Sequence, residues 1–192
     1  MNLGLDASTS CCGYAFSEGN VIVDAGWIDT SKEDTFRAKS AKIINFLNST
    51  GRMGQVECIY LESAVSGFSP GFTSQQTIVL LSRWNAVFEY ILQETFGLEK
   101  VVLLTSNQAR KAVFGACRIK GMKPKEFVRQ ELAKLFDLTP YIKFNKIGNE
   151  DKRNSDTLDA IVLSLHGHFS QKTNSKDKKT GKKVDSTSVK PE

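Results

Sequence analysis

Four of the 21 acidic side chains stand where an ordinary solvated acid is out of place. Asp6 closes an apolar first strand and is followed by small hydroxyl residues and Gly13. Glu62 closes the apolar run Cys58-Ile59-Tyr60-Leu61, and Asp156 and Asp159 fall three residues apart in the first turns of a predicted helix, which makes them neighbours on its surface. Carboxylates gathered from separate elements repel one another and are costly to desolvate without a neutralising charge. Four negative charges match a pair of Mg²⁺ ions roughly 3.5–4 Å apart, the spacing that suits phosphodiester displacement. Mg²⁺ takes few carboxylates and keeps places for water and phosphate oxygen. Each residue also has a structural alternative: Asp6 as a turn opener, Glu62 as an exposed strand end, Asp156 and Asp159 as acids favoured by a helix dipole.

The basic residues are unevenly placed. Between Asn107 and Arg129 lie Arg110, Lys111, Arg118, Lys120, Lys123, Lys125 and Arg129, opposed by Glu126 alone. A solvated helix face usually mixes both signs, so this run is a candidate phosphate-binding surface. Phe68 and Phe72 lie in a Gly/Ser/Pro loop just after Glu62, where either ring could stack on an unpaired base or fold back onto the sheet. The net charge of the chain is +5, and residues 171–192 carry most of it, with seven lysines against Asp177, Asp185 and Glu192. That lysine-rich stretch has almost no apolar residue and is expected to be a disordered tail, either solubilising or a mobile cationic arm for a polyanion.

These groups need elements to position them. Alternation and turn residues predict three short strands over Asn2 to Trp27, most simply an antiparallel meander. A helix is expected over Asp34 to Leu47, a strand over Val56 to Glu62, and a long helix over Ser74 to Phe96. A buried strand, Val101 to Leu104, precedes a helix capped by Thr105 or Ser106, broken near Gly115 and Gly121, and resumed at Lys123-Pro124. Asp137 to Asn154 reads as a loop, and a last helix runs to about His168 with Leu158, Ile161, Val162, Leu165 and Phe169 as its core stripe. The result is an α/β domain over residues 1–170 with a mixed five-stranded sheet flanked by helices. The apolar surface of the Ser74 to Phe96 helix is broad enough to serve both a core and a partner, with Trp84 and Phe88 as candidate anchors of a homodimer or as filling of the monomer's own core.

Leu3-Gly4-Leu5-Asp6-Ala7-Ser8, Gly13-Tyr14-Ala15, Ile59-Tyr60-Leu61-Glu62 and Ser155-Asp156-Thr157-Leu158-Asp159-Ala160-Ile161 together resemble the motifs of RuvC-type Holliday junction resolvases, especially the compact bacteriophage endonucleases. The resemblance spans about residues 2 to 169. It implies an RNase H-like fold, a homodimer, and Mg²⁺-dependent cleavage of branched DNA leaving 5′-phosphate and 3′-hydroxyl ends, with Mn²⁺ as a substitute and Asp6, Glu62, Asp156 and Asp159 as metal ligands. It also implies that basic residues of the Arg110-Lys111 and Lys120, Lys123, Lys125 groups touch phosphates near the cut, Arg110 and Lys123 being the preferred pair. Lys152 and Arg153 could screen the carboxylates, touch a phosphate or serve a plain surface role. The sequence departs from the usual Asp-Pro-Gly after the first ligand, and its loop after Glu62 is richer in Gly, Ser and Pro. Forks and three-way junctions are therefore expected substrates beside four-way junctions.

Other classes fit less well. No apolar run reaches the length of a membrane span, the N-terminus has no basic segment ahead of an apolar one, and a cytoplasmic protein is expected, in the host cell if phage-encoded. The four cysteines form no CxxC pair and read as reduced thiols. An actin-like ATPase shares the first-strand pattern but needs two such domains, so no nucleotide cofactor is expected. A non-catalytic DNA-binding scaffold needs a ligand position replaced by a neutral residue, and none is.

Overall fold

Tight turns join the first three strands, so they pair as a meander. β1 (Asn2–Ala7) and β2 (Cys11–Glu18) are antiparallel, as are β2 and β3 (Val21–Asp29). The chain then crosses by helix α1 (Phe36–Ser49) to β4 (Cys58–Glu62), and by α2 (Gln75–Phe96) to β5 (Val101–Leu104), both parallel to their neighbours, because parallel pairing requires a crossover. The sheet order is β3-β2-β1-β4-β5. Helices α3 (Ser106–Phe114), α4 (Pro124–Ala133) and α5 (Asn154–Thr180) follow. This computed structural model describes residues 1–63 and 75–180, with the backbone alone for 171–180.

Each sheet face carries its own core. Leu3 and Leu5 point with Phe16, Ile59 and Leu61 toward α1 and α2, where Ile43, Leu47, Trp84, Phe88 and Leu92 meet them. The opposite face receives α5 through Ala160, Ile161 and Leu165, joined by Phe127 and Leu132 of α4. Two-residue alternation in β1 decides which side each residue serves, and Gly4 falls on the α5 side. A Cβ at Gly4 would overlap the Ala160 carbonyl, and one at Gly13 would overlap the Asp156 carbonyl. The absence of side chains at these two positions lets α5 lie directly on β1 and β2.

Local chemistry sets the remaining boundaries. Thr35 caps α1 by accepting from the Ala38 N–H at 3.1 Å. Thr105 and Gln108 form a reciprocal capping box at the start of α3, which ends at Gly115 with φ of 76°. Pro124 sits in the first turn of α4, where its missing N–H is no loss.

Four expectations change. Strand β5 is an edge strand whose Val102 and Leu103 are partly exposed, not a buried one, since among the described residues no strand flanks it on the far side. Trp84 and Phe88 are fully buried and stacked at 5.1 Å, so they fill the monomer's core and are not dimer anchors. Their four-residue spacing with Leu92 is the inward stripe of α2. Helix α5 runs to Thr180, well beyond His168, because buried turns supply the nucleus and extension costs little more. The backbone of 171–180 is therefore helical, while 181–192 lie outside the described residues. Within the Asp137 to Asn154 stretch an antiparallel bridge pairs Phe144 with Glu150.

Candidate active site

Parallel pairing of β1 and β4 aligns Leu5 with Leu61, so Asp6 and Glu62 leave the same sheet edge on adjacent strands. Neighbouring strands lie about 4.8 Å apart, which brings the two side chains within reach of each other. On the other side of β1, Asp6 is paired with Gly13, over which the first turn of α5 passes. Asp156 and Asp159 are thereby carried to the same edge.

The four carboxyls act on one another. Burial pushes the Asp6 pKa well above the carboxylate range, and the Glu62 charge, a hydrogen bond with Glu62, and the charges of Asp159 and Asp156 push it further. The rise at Asp6 follows from burying its carboxyl beside other acids. Burial also raises Asp159, against the lowering influence of Arg110. The nearby Cys11 thiol is pushed up to about 12, first by burial and then by Asp156, so it is an inert thiol.

Each remaining carboxyl has a partner of its own. The Ser106 hydroxyl, at the first residue of α3, donates to Glu62. Arg110, one turn further along, donates through Nη2 to Asp159 Oδ1 at 3.0 Å, and both side chains are largely buried. Lys125 Nζ donates to Ser155 Oγ at 2.7 Å, and the single proton of that hydroxyl is shared between the Lys152 carbonyl at 2.9 Å and Asp156 Oδ1 at 3.1 Å. Behind the strand ends, the Trp84 indole N–H donates to the Ala7 carbonyl at 3.1 Å and Asn85 Nδ2 donates to the Glu62 carbonyl at 3.4 Å. Helix α2 thus fixes the backbone on which the first two acids stand.

Asp6, Glu62, Asp156 and Asp159 come together from β1, β4 and α5, and Arg110 and Lys125 join them. Lys111, Lys120 and Lys123 are exposed and form no ion pair among the described residues. Phe68 and Phe72 lie outside the described residues. Arg153 does not screen the acids: it binds Asp151 at 2.7 Å and Asp29 at 2.9 Å, with its guanidinium 3.6 Å from the Trp27 ring centre. The sequence reading missed Ser106, Ser155 and the role of Gly13. Ser106 carried a usable signal, a hydroxyl just after the strand beside Glu62. The Lys125 contact had none, because the length of the break after Gly115 decides which lysine returns to the site.

The donor set suits a hard divalent cation, being all carboxylate, partly buried and short of positive charge. Among the described residues no three His, Cys, Asp or Glu side chains form a ready metal-binding group in these positions. Arg110, Ser106 and Ser155 each bond one of the carboxyls, Asp159, Glu62 and Asp156 in turn. A cation bound by Asp159 would compete with Arg110 for that carboxylate.

No protein-family model matches the sequence, and no curated protein matches it. Solved structures do match. RuvC of Thermus thermophilus in complex with a Holliday junction substrate aligns with a TM-score of 0.57 at 13% identity, covering 90% of this chain and 95% of that one. A second Thermus thermophilus RuvC structure gives 0.56 at 14% identity, covering 90% and 96%. The yeast mitochondrial Holliday junction resolvase Ydc2 gives 0.57 at 12% identity, covering 92% of this chain and 83% of Ydc2. At such identities the likeness is one of fold, and the fold is the RuvC-like, RNase H-like mixed sheet.

Proposed function

We propose that this chain is a structure-selective endonuclease that cleaves Holliday junctions and other branched DNA, with Asp6, Glu62, Asp156 and Asp159 holding Mg²⁺, or Mn²⁺ in its place, as two ions per site. The observation that carries the reading is the convergence of four acids, from three separate elements, on one partly buried position whose charge nothing among the described residues fully offsets. Similarity to the fold of RuvC and Ydc2 supports it.

Bound divalent cations supply polarisation of the phosphodiester and a lowered pKa for the attacking water. The chain's own groups do the rest. Glu62 is oriented by Ser106 and by a backbone that Asn85 holds, and Asp156 by the Ser155 hydroxyl that Lys125 fixes. Arg110, freed from Asp159, becomes a cation at the site's edge for the phosphate being cut. Lys111, Lys120 and Lys123 lie exposed for the phosphates on either side. The products expected are 5′-phosphate and 3′-hydroxyl ends.

A homodimer completes the reading, since paired cuts on opposed strands need two sites. Its face is the outer side of α2, where Val79 is 45%, Leu80 46% and Tyr90 62% exposed. This face replaces the Trp84 and Phe88 anchors expected from sequence.

The test uses the purified full chain on labelled mobile and fixed four-way junctions, a fork and a linear duplex, with every nick mapped. Branched substrates cut with Mg²⁺, and the duplex left whole, support the proposal. Equal cutting of the duplex removes branch selectivity, and junction binding without cutting in either metal assigns the chain to the non-catalytic scaffolds.

A further inference from the structure

Between α4 and α5 the chain forms a small, fully specified hairpin. The Asn145 N–H donates to the Asn149 carbonyl at 2.8 Å, and its side-chain oxygen accepts from the Ile147 and Asn149 N–H groups, each at 3.0 Å. Gly148, at φ of 82°, supplies the left-handed residue the turn needs. The base is fastened to the helix with the carboxylates. Asn154, buried at the start of α5, accepts from the Lys143 N–H at 3.1 Å and donates to the Lys143 carbonyl at 2.8 Å. Ser155 and Asp156 follow directly, so the hairpin and the carboxylate-bearing turn form one joint.

Two large apolar side chains of this ordered structure are uncovered, one at its closing bridge and one in its turn. Phe144 is 65% exposed and Ile147 80%. The hairpin's acids are paired, Glu150 with Arg129 and Asp151 with Arg153, which Asp29 shares, while Lys146 and Lys152 form no ion pair among the described residues. An open cleft of about 530 Å³ separates the hairpin from the turn after β1 and the end of β3, lined among others by Ser10, Asp29, Ser31 and Lys152. Rigid presentation of large apolar groups to water marks a binding surface. The free charge beside it is positive, which selects a polyanion, and among polyanions only a nucleic acid also offers flat apolar faces.

We propose that residues 143–151 are a DNA-reading pin: Phe144 and Ile147 enter between unstacked bases at a branch point, while Lys146 and Lys152 hold the flanking phosphates. The inference rests on the endonuclease reading and deepens it. Apolar side chains that insert at base steps are a general device for holding distorted DNA, and unpaired bases at a branch make insertion cheap. Because the pin shares a joint with Asp156, it fixes the distance from branch point to cut.

The test measures binding of the full chain, with Ca²⁺ in place of Mg²⁺, to a four-way junction carrying 2-aminopurine at the branch and to a linear duplex. Phe144→Ala with Ile147→Ala is expected to weaken junction binding about tenfold or more and to abolish the wild-type rise in 2-aminopurine fluorescence. Duplex affinity and the thermal midpoint stay unchanged, and Phe144→Trp keeps the signal. Wild-type affinity and fluorescence in the double variant overturn the pin. So does a loss of binding accompanied by a dimer-to-monomer shift in sedimentation, which assigns the tip to a second copy, or by a lower thermal midpoint, which assigns it to folding. If the wild-type chain shows no junction preference, the endonuclease reading itself fails; a preference that the double variant retains sinks the pin alone.

Discussion

The acidic and basic halves of this surface are built on opposite terms. The acids stand on backbone that the fold leaves no freedom to move: two adjacent strand ends, and a helix turn pressed against Gly13. The bases stand on α3, α4 and the connection between them, and of the seven in that run Arg110, Lys125 and Arg129 make side-chain bonds within the chain. On the proposed function, the difference separates chemistry, which needs fixed geometry, from binding, which needs charge that can follow a flexible polyanion.

If that contrast is right, changes on the acidic side act on cutting and leave binding alone. Asp6→Asn is expected to lower the cleavage rate of a four-way junction by a factor on the order of a thousand while gel-shift affinity stays within about twofold. Cleavage within about tenfold of wild type shows that Asp6 is dispensable. Gly13→Val comes next: its side chain meets the α5 backbone and is expected to destabilise the fold by about 3 kcal/mol, read as a lower urea midpoint, with cutting lost in step. An unchanged midpoint means that α5 does not need that close approach.

Arg110→Gln probes the border between the halves. Removing the cation that holds Asp159 is expected to tighten Mn²⁺ binding severalfold, by calorimetry, and to slow cutting, because a competitor and a phosphate partner vanish together. On the basic side, Lys111→Ala, Lys120→Ala and Lys123→Ala should each lower junction affinity modestly and reduce the salt slope by about one, with cutting at saturation unchanged. A lysine whose loss lowers the saturated rate belongs to the site instead. The smallest effect falls outside both halves, where hydrogen bonds from Arg153 hold Asp151 down to about 2. A lowered carboxyl stabilises the fold above its ordinary range and loses that contribution as pH falls through the folded value. Arg153→Gln should therefore raise the pH of acid unfolding, measured by circular dichroism.

The succession of elements, the antiparallel first three strands and the places of the four acids at element ends were legible because each rests on a local pattern: alternation, turn residues and an acid ending an apolar run. What was not legible depends on partners far along the chain. Helical spacing put Trp84 and Phe88 on a stripe, and whether that stripe faced the sheet or a second chain depended on where Ala7 ended. The loop before α5 lacked the length and alternation of strands, and its hairpin is held by Asn145 and Asn154 side chains that periodicity does not see. Arg153 read as a free cation because its acids, Asp29 and Asp151, come from different segments that only the fold brings together.

Whether the four carboxyls act as one cation-binding group is tested most directly by calorimetric titration of Mn²⁺ into the wild-type chain, Asp6→Asn and Asp159→Asn. The account predicts saturable binding by the wild type that either single neutralisation, on β1 or on α5, abolishes or weakens at least tenfold. Identical isotherms for all three proteins would contradict it.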